Sequence, residues 1–208
     1  MTGAGLLVPL ACGAGRQSDA GVPPAPPAPP APSAPPSPPR EPEPETCSAT
    51  EDNIEGPFFT PGAPGKVVLS EPGMKGTPLQ VTGRILDLDC KPIAGARMQV
   101  WQCDADGAYD LQGFRLRGRL AADDDGGWHV RTIVPGHYLN GPKYRPAHIH
   151  VKLAAPGFRP LTTQLYFDGD PYNGDDPFIR DSLIMKLRRA PGGGGLMAAR
   201  FDFVLPPA

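Results

Sequence analysis

The chain predicts an all-β domain, an antiparallel β-sandwich with long loops and little helix, on three observations. Apolar and polar residues alternate with period two in several short runs, helical periodicity is nearly absent, and Pro or Gly interrupts the joins between runs. Successive side chains of a strand point to opposite faces, so each run buries one face, and many short runs with turn signals between them pack as two facing sheets. In chain order, residues 79–87 (LQVTGRILD) alternate, Cys90-Lys91-Pro92 turns, and residues 96–103 (ARMQVWQC) are expected to return beside them as a hairpin. Strands are also predicted at 127–134, 148–154 and 161–167, and a last pair at 183–189 and 196–205 is joined through glycines 192–195. Residues 175–182 have room for one helical turn and no more.

Composition divides the 208 residues unevenly. Of the 30 prolines, 14 fall in residues 1–46, where large apolar residues are scarce after Leu10, so that stretch has no means of burying a core. Residues 47–208 are long enough for one ordinary domain. Four of the 22 acids and two of the 20 bases lie before Cys47, which leaves the domain with 18 of each. A neutral domain lacks the basic footprint of a nucleic-acid binder, and no apolar run approaches the ~18 residues of a spanning helix.

Residues 1–21 contain GLLVPLACG (5–13), a short apolar run closed by small residues and a cysteine, which reads as the end of an export signal. It is similar to a bacterial lipoprotein signal, with Cys12 as the acylated first residue of the mature chain, so attachment to a membrane through Cys12 is one expectation. The run lacks a basic segment before it and carries Pro9 where such signals have a branched apolar residue, so an untranslated or disordered leader of no consequence is the other reading. Residues 22–46 are Pro-rich and favour polyproline II, about 3.1 Å per residue, as a semi-rigid spacer. An oxidising compartment lets cysteines pair. The favoured bridge is Cys47 with Cys90, because Cys103 lies beside the proposed active centre; three buried thiols remain the alternative.

The chemistry-bearing stretch is residues 135–167. His148 and His150 are two apart on a β-rich run, so both imidazoles project from one face and can share a metal; a polar surface pair is the plain alternative. No Asp or Glu occurs from Gly126 to Phe167, so a His, His, carboxylate site would need its acid from elsewhere. Phenols are nearby instead: Tyr109 in the loop DADGAY, Tyr138 and Tyr144 before the histidines, Tyr166 after them. Phenolate is a hard anionic donor, and two of them with two imidazoles favour Fe(III).

The series EGPFF (55–59), GARMQVWQCDADGAYD (95–110), RTIVPGHY (131–138), RPAHIH (145–150) and LTTQLYFDGD (161–170) closely resembles the intradiol ring-cleavage dioxygenases. The resemblance implies a non-haem ferric enzyme with the β-sandwich of that family, which inserts both atoms of O2 into a catechol between its hydroxylated carbons to give a cis,cis-muconate-type diacid. By motif, Tyr109, Tyr138, His148 and His150 would hold the iron, Tyr138 being the phenolate that leaves when substrate chelates. Arg145 and Gln164 would stand beside the substrate ring, Arg145 as fixed positive charge and Gln164 as a donor toward oxygen. Tyr144 is read as lining and Trp101 as core.

Three departures leave the ring substituents open. Six residues separate Tyr138 from Arg145, a short loop for the protocatechuate enzymes; Asn140 stands where those have Trp; and no helical dimerisation segment is read before the domain, so oligomeric state is undetermined. Two readings from other classes compete: a surface-displayed β-sandwich binding module with an inactive metal site, and a zinc hydrolase on His148 and His150.

Overall fold

The computed structural model describes residues 47–192 and 194–208; the leader with Cys12 and the Pro-rich spacer lie outside the described residues. The strands are Pro78–Leu86 (β1), Arg97–Trp101 (β2), Arg117–Ala121 (β3), Gly127–Ile133 (β4), Tyr138–Asn140 (β5), Lys143–Arg145 (β6), His148–Ala154 (β7), Leu161–Phe167 (β8), Ile184–Met185 (β9), Arg188–Arg189 (β10), Met197–Arg200 (β11) and Phe203–Val204 (β12). Asn173–Asp175 and Asp181–Leu183 are single 3-10 turns, each overlapping one end of the 175–182 stretch expected to hold one helical turn.

Two sheets form the sandwich. One centres on β1, with β4 antiparallel on one edge and β11 and β12 parallel on the other; the second runs β3-β2-β7-β8-β9. The long strands pair antiparallel as predicted; among the named strands the parallel pairs are β1 with β11 and β12 and β8 with β9, and single parallel bridges join Gly65 to Arg119 and Val68 to Arg131. Leu79, Val81 and Ile85 of β1 and Val130 of β4 meet Met98, Val100, Ile149, Val151, Leu153 and Leu165 of the second sheet in one buried cluster. Each fully buried Leu or Ile there contributes roughly 1.5–3 kcal/mol.

The expected hairpin of β1 with β2 does not form. The chain does turn back, with Asp87 N–H donating to Lys91 O (2.9 Å) and Ile93 N–H to Ile85 O (2.8 Å). Both edges of β1 are already taken by β4 and by β11 and β12, so after Gly95 (φ +67°) the chain crosses to the other sheet, where β2 pairs with β3 and β7. The strands β3, β5 and β6 are not anticipated: RGRLA shows no clean alternation, and three residues are too few for a period. Cys47 and Cys90 are bridged, tying the start of the domain to the β1 turn, and Cys103 is a buried free thiol.

Candidate metal centre

Register places the key side chains together. His150 stands opposite Trp101 on one side and Gln164 on the other, and His148 stands opposite Tyr166. Directly opposed residues share a face, so this row lies on the outer face of the second sheet, away from the core lined by Ile149 and Val151. Tyr109 reaches it from the loop after β2: its hydroxyl oxygen is 3.1 Å from His150 Nε2 and 3.4 Å from His148 Nε2, and the two Nε2 atoms are 3.2 Å apart. Donors each about 2.1 Å from one cation stand roughly 3 Å from each other, so the triangle has the size a shared ion requires. His148 Nδ1 faces Pro146 O at 2.7 Å; a carbonyl only accepts, so Nδ1 carries the proton and the Nε2 lone pair faces the centre. His150 Nδ1 is buried with no hydrogen-bond partner.

Tyr138, at the start of β5, brings the second phenol. Its ring meets Tyr109 edge-on at 5.6 Å and His148 at 5.7 Å, and its hydroxyl accepts from Arg145 Nη1 at 3.4 Å. The two tyrosine loops are pressed backbone to backbone, which explains their glycines. A Cβ at Gly107 (φ +81°) would stand 2.2 Å from His137 O, and one at Gly136 would stand 2.5 Å from Ala105 O. Asp104 and Asp110 fold the Tyr109 loop by accepting backbone N–H groups from Asp106 and Ala108, and from Gln112, Gly113 and Arg115. Those donors, Arg115 N–H foremost, hold the Asp110 carboxyl below its usual range.

Two buried arginines brace the cluster. Arg145, directly opposite Tyr138 in the β5–β6 hairpin, donates from Nε to the Asp176 carboxylate and from Nη2 to Gln164 Oε1 (2.9 Å) and Tyr166 Oη (3.3 Å), with its guanidinium over the Phe178 ring at 4.9 Å. Gln164 Nε2 donates to Ile54 O at 2.7 Å. Its carbonyl oxygen therefore faces Arg145 and holds the guanidinium in place, while Ile54 O takes one of its two amide N–H donors and leaves the other. Arg117 donates to Asp110 O (3.2 and 2.8 Å) and to Phe58 O (2.7 Å), and the Phe58 ring stacks on Tyr109 at 4.2 Å.

Burial sets the protonation states. It pushes Tyr109 far above the ordinary phenol range, with Cys103 and Tyr138 adding to it, and raises Tyr138 against the pull of Arg145. It lowers His148 to about 4, helped by Arg145, and takes His150 well below its usual value, helped by His148. Without a cation the cluster is neutral phenols beside neutral imidazoles: the imidazoles are ready to donate lone pairs, and the phenols need a strong positive charge to ionise.

All the expected site residues, Tyr109, Tyr138, Arg145, His148, His150 and Gln164, fall in this one region. Tyr144 is 44% exposed and packs on Tyr172 at 5.2 Å. Trp101 differs from expectation: it is buried, but on the outer face, stacked on His150 at 4.7 Å and outside the core cluster. Sequence reasoning missed Asp176, Arg117, Phe58 and Asp170, whose carboxylate takes His137 Nε2 (2.8 Å) and Ala147 N–H (3.1 Å) and so pins the residues preceding Tyr138 and His148. Phe58 and Asp170 sat inside recognised motifs; Asp176 and Arg117 carried no local signal.

Fold and site together define an all-β protein with a centre of two tyrosines and two histidines. A family described as Dioxygenase matches residues 54–207. The 6-chlorohydroxyquinol 1,2-dioxygenase of Cupriavidus pinatubonensis is 39% identical over 190 residues, 79% of this chain and 67% of that protein. The chlorocatechol 1,2-dioxygenase of Rhodococcus opacus is 33% identical over 188 residues, 75% of this chain and 72% of that protein. Among solved structures, the dioxygenase domain of a dioxygenase carbohydrate-binding protein fusion from a cellulolytic Streptomyces matches with TM-score 0.71 at 43% identity, covering 77% of this chain and all of that one. The chain belongs to the intradiol ring-cleavage dioxygenases and is an oxidoreductase of that class.

Proposed function

We propose that the centre takes Fe(III) on Tyr109, Tyr138, His148 and His150, and that the enzyme inserts both atoms of O2 into a catechol-type diol to give a cis,cis-muconate-type diacid. The triangle of Tyr109 Oη, His148 Nε2 and His150 Nε2 carries this reading. Among the described residues no three His, Cys, Asp or Glu side chains gather as a metal site, so phenols are what complete the set, and hard phenolates suit a trivalent ion better than zinc. When bound, ferric iron supplies the charge that ionises these phenols and draws electron density from a chelated diol, making the ring reactive toward O2.

The chain's own residues do the rest. Tyr109 is the fixed phenol, clamped between Phe58 and the Arg117-held loop. Tyr138 is the one placed to accept a proton from the arriving diol, because it sits on a three-residue strand and Arg145 Nη1 keeps its oxygen partnered afterwards. Arg145, held by Asp176, Gln164 and Tyr166, offers a fixed charge that needs no reorganisation as charge develops on the substrate.

Loaded with ferric iron, the protein is expected to turn red from tyrosinate-to-iron charge transfer, to shift that band with catechol, and to consume O2 as the ring opens. Protein that stays colourless with iron overturns the reading. We also infer export, with residues 22–46 as spacer and Cys12 as tether; the Cys47–Cys90 bridge supports an oxidising compartment. Fatty-acid labelling of the full chain that persists in Cys12→Ser would remove the tether.

A further inference from the structure

A cavity of about 700 Å³ lies on the outer face of the second sheet, beside the metal centre, in the size range of small-ligand sites. Register builds its floor. Gln99 stands opposite both Arg119 and Lys152, and Lys152 opposite Thr162, so these four share the face of Trp101 and His150, two residues away along their strands. Arg97, two residues before Gln99, is diagonal to both Arg119 and Lys152. Phe59, Pro61 and Pro160 supply apolar walls, and no Asp or Glu lines the space. Lys152 is paired with Glu55 and covers the Phe59 ring at 4.3 Å. Neither the Arg97 nor the Arg119 guanidinium has a hydrogen-bond or ion-pair partner among the described residues. Two unpaired guanidiniums on diagonal positions repel, and each presents the planar fork that takes a carboxylate with two parallel bonds.

We propose that this cavity binds a dicarboxylate with an apolar middle, one carboxylate on Arg97 and one on Arg119, with the carbon chain against Phe59 and Pro160. The choice of a six-carbon diacid rests on the ring opening proposed above, whose product belongs to that class. The cavity also touches the centre mechanically. Phe59 packs on Trp101 at 4.9 Å, Trp101 stacks on His150 at 4.7 Å with planes 7° apart, and the neighbouring Phe58 stacks on Tyr109. A ligand pressing on Phe59 therefore acts on a candidate ligand imidazole through two ring contacts, the tilted Phe59–Trp101 pair and the Trp101–His150 stack, so accumulated diacid would feed back on the centre that makes it.

The test uses the full chain loaded with ferric iron and saturated with 4-nitrocatechol, so that the centre is taken, and titrates it with adipate by calorimetry. One-site binding is expected, weakened about tenfold or more in Arg97→Gln/Arg119→Gln, with turnover at low diacid unchanged because neither residue reaches the centre. Adipate should shift the charge-transfer band in the wild type and not in the double variant. Absent binding, equal affinity in the variant, or sulfate binding as tightly as adipate at matched ionic strength overturns the proposal. The two readings fail separately: adipate binding without iron colour sinks the ferric centre alone, and iron colour with O2 uptake but no adipate binding sinks the cavity alone.

Discussion

Tyr109 and Tyr138 share a cluster but not a setting. Tyr109 Oη lies within 3.4 Å of both imidazole nitrogens and its ring is stacked under Phe58, whereas Tyr138 Oη is drawn toward Arg145. Tyr109→Phe and His150→Ala are therefore expected to lose bound iron and colour, while Tyr138→Phe keeps iron and slows substrate chelation; iron content by plasma emission and stopped-flow mixing with catechol separate the cases, and equal metal loss in all three refutes the distinction. Asp176 and Arg145 are both buried, and removing one partner of a buried pair costs about 3–5 kcal/mol. Asp176→Ala should lower stability by that order and kcat by roughly a hundredfold through a displaced guanidinium, and Asp176→Glu should recover part of kcat. The imidazoles make the metal-free domain acid-sensitive. His148 falls from 6.5 to about 4 on folding, so its contribution is whole above pH ~6.5 and is lost as pH falls toward 4; that is roughly 3 kcal/mol at about 1.4 kcal/mol per pH unit. Melting temperature against pH for metal-free protein checks this, and a flat profile through that window contradicts it.

Loops and hairpins, more than strands, bring the donors together. The β5–β6 hairpin sets Tyr138 and Arg145 side by side through register alone, and the Tyr109 loop docks on the Pro-Gly turn because Gly107 and Gly136 leave no side chain between them. Gly107→Ala forces a left-handed backbone on a residue with a Cβ and drives that Cβ into His137 O, so it should cost about 2 kcal/mol or more. Its distinguishing readout is a weakened charge-transfer band at saturating iron, since both tyrosine loops shift; an unchanged band would show the contact to be slack. Strands β7 and β8 were legible because period two marks one face of each, and His148 and His150 fell on the same face without further information. The β1–β2 hairpin was misread because a turn signal reports that the chain bends, not whether the strand edge it returns to is free.

At the scale of the molecule, the Cys47–Cys90 bridge closes a loop of 43 residues and so is worth about 4 kcal/mol by the loop-entropy relation. Cys47→Ser/Cys90→Ser should lower the melting temperature by roughly 10 °C, with the iron band retained because the bridge lies on the β1 turn and not at the centre; no change on reduction would show the bridge to be incidental. Alternation, turn residues and the ordered motifs carried the sandwich, the two histidines, both tyrosines and the Arg145–Gln164 pair, since each of those signals is written within a few consecutive residues. Three things were decided only by tertiary packing: the partner of Arg145, which is Asp176 from a distant loop; the bracing of Tyr109 by Arg117 and Phe58; and the role of Trp101 as the plate between His150 and Phe59. Each joins residues far apart in the chain through contacts whose energy depends on burial and distance, and neither quantity exists until the sheets have closed.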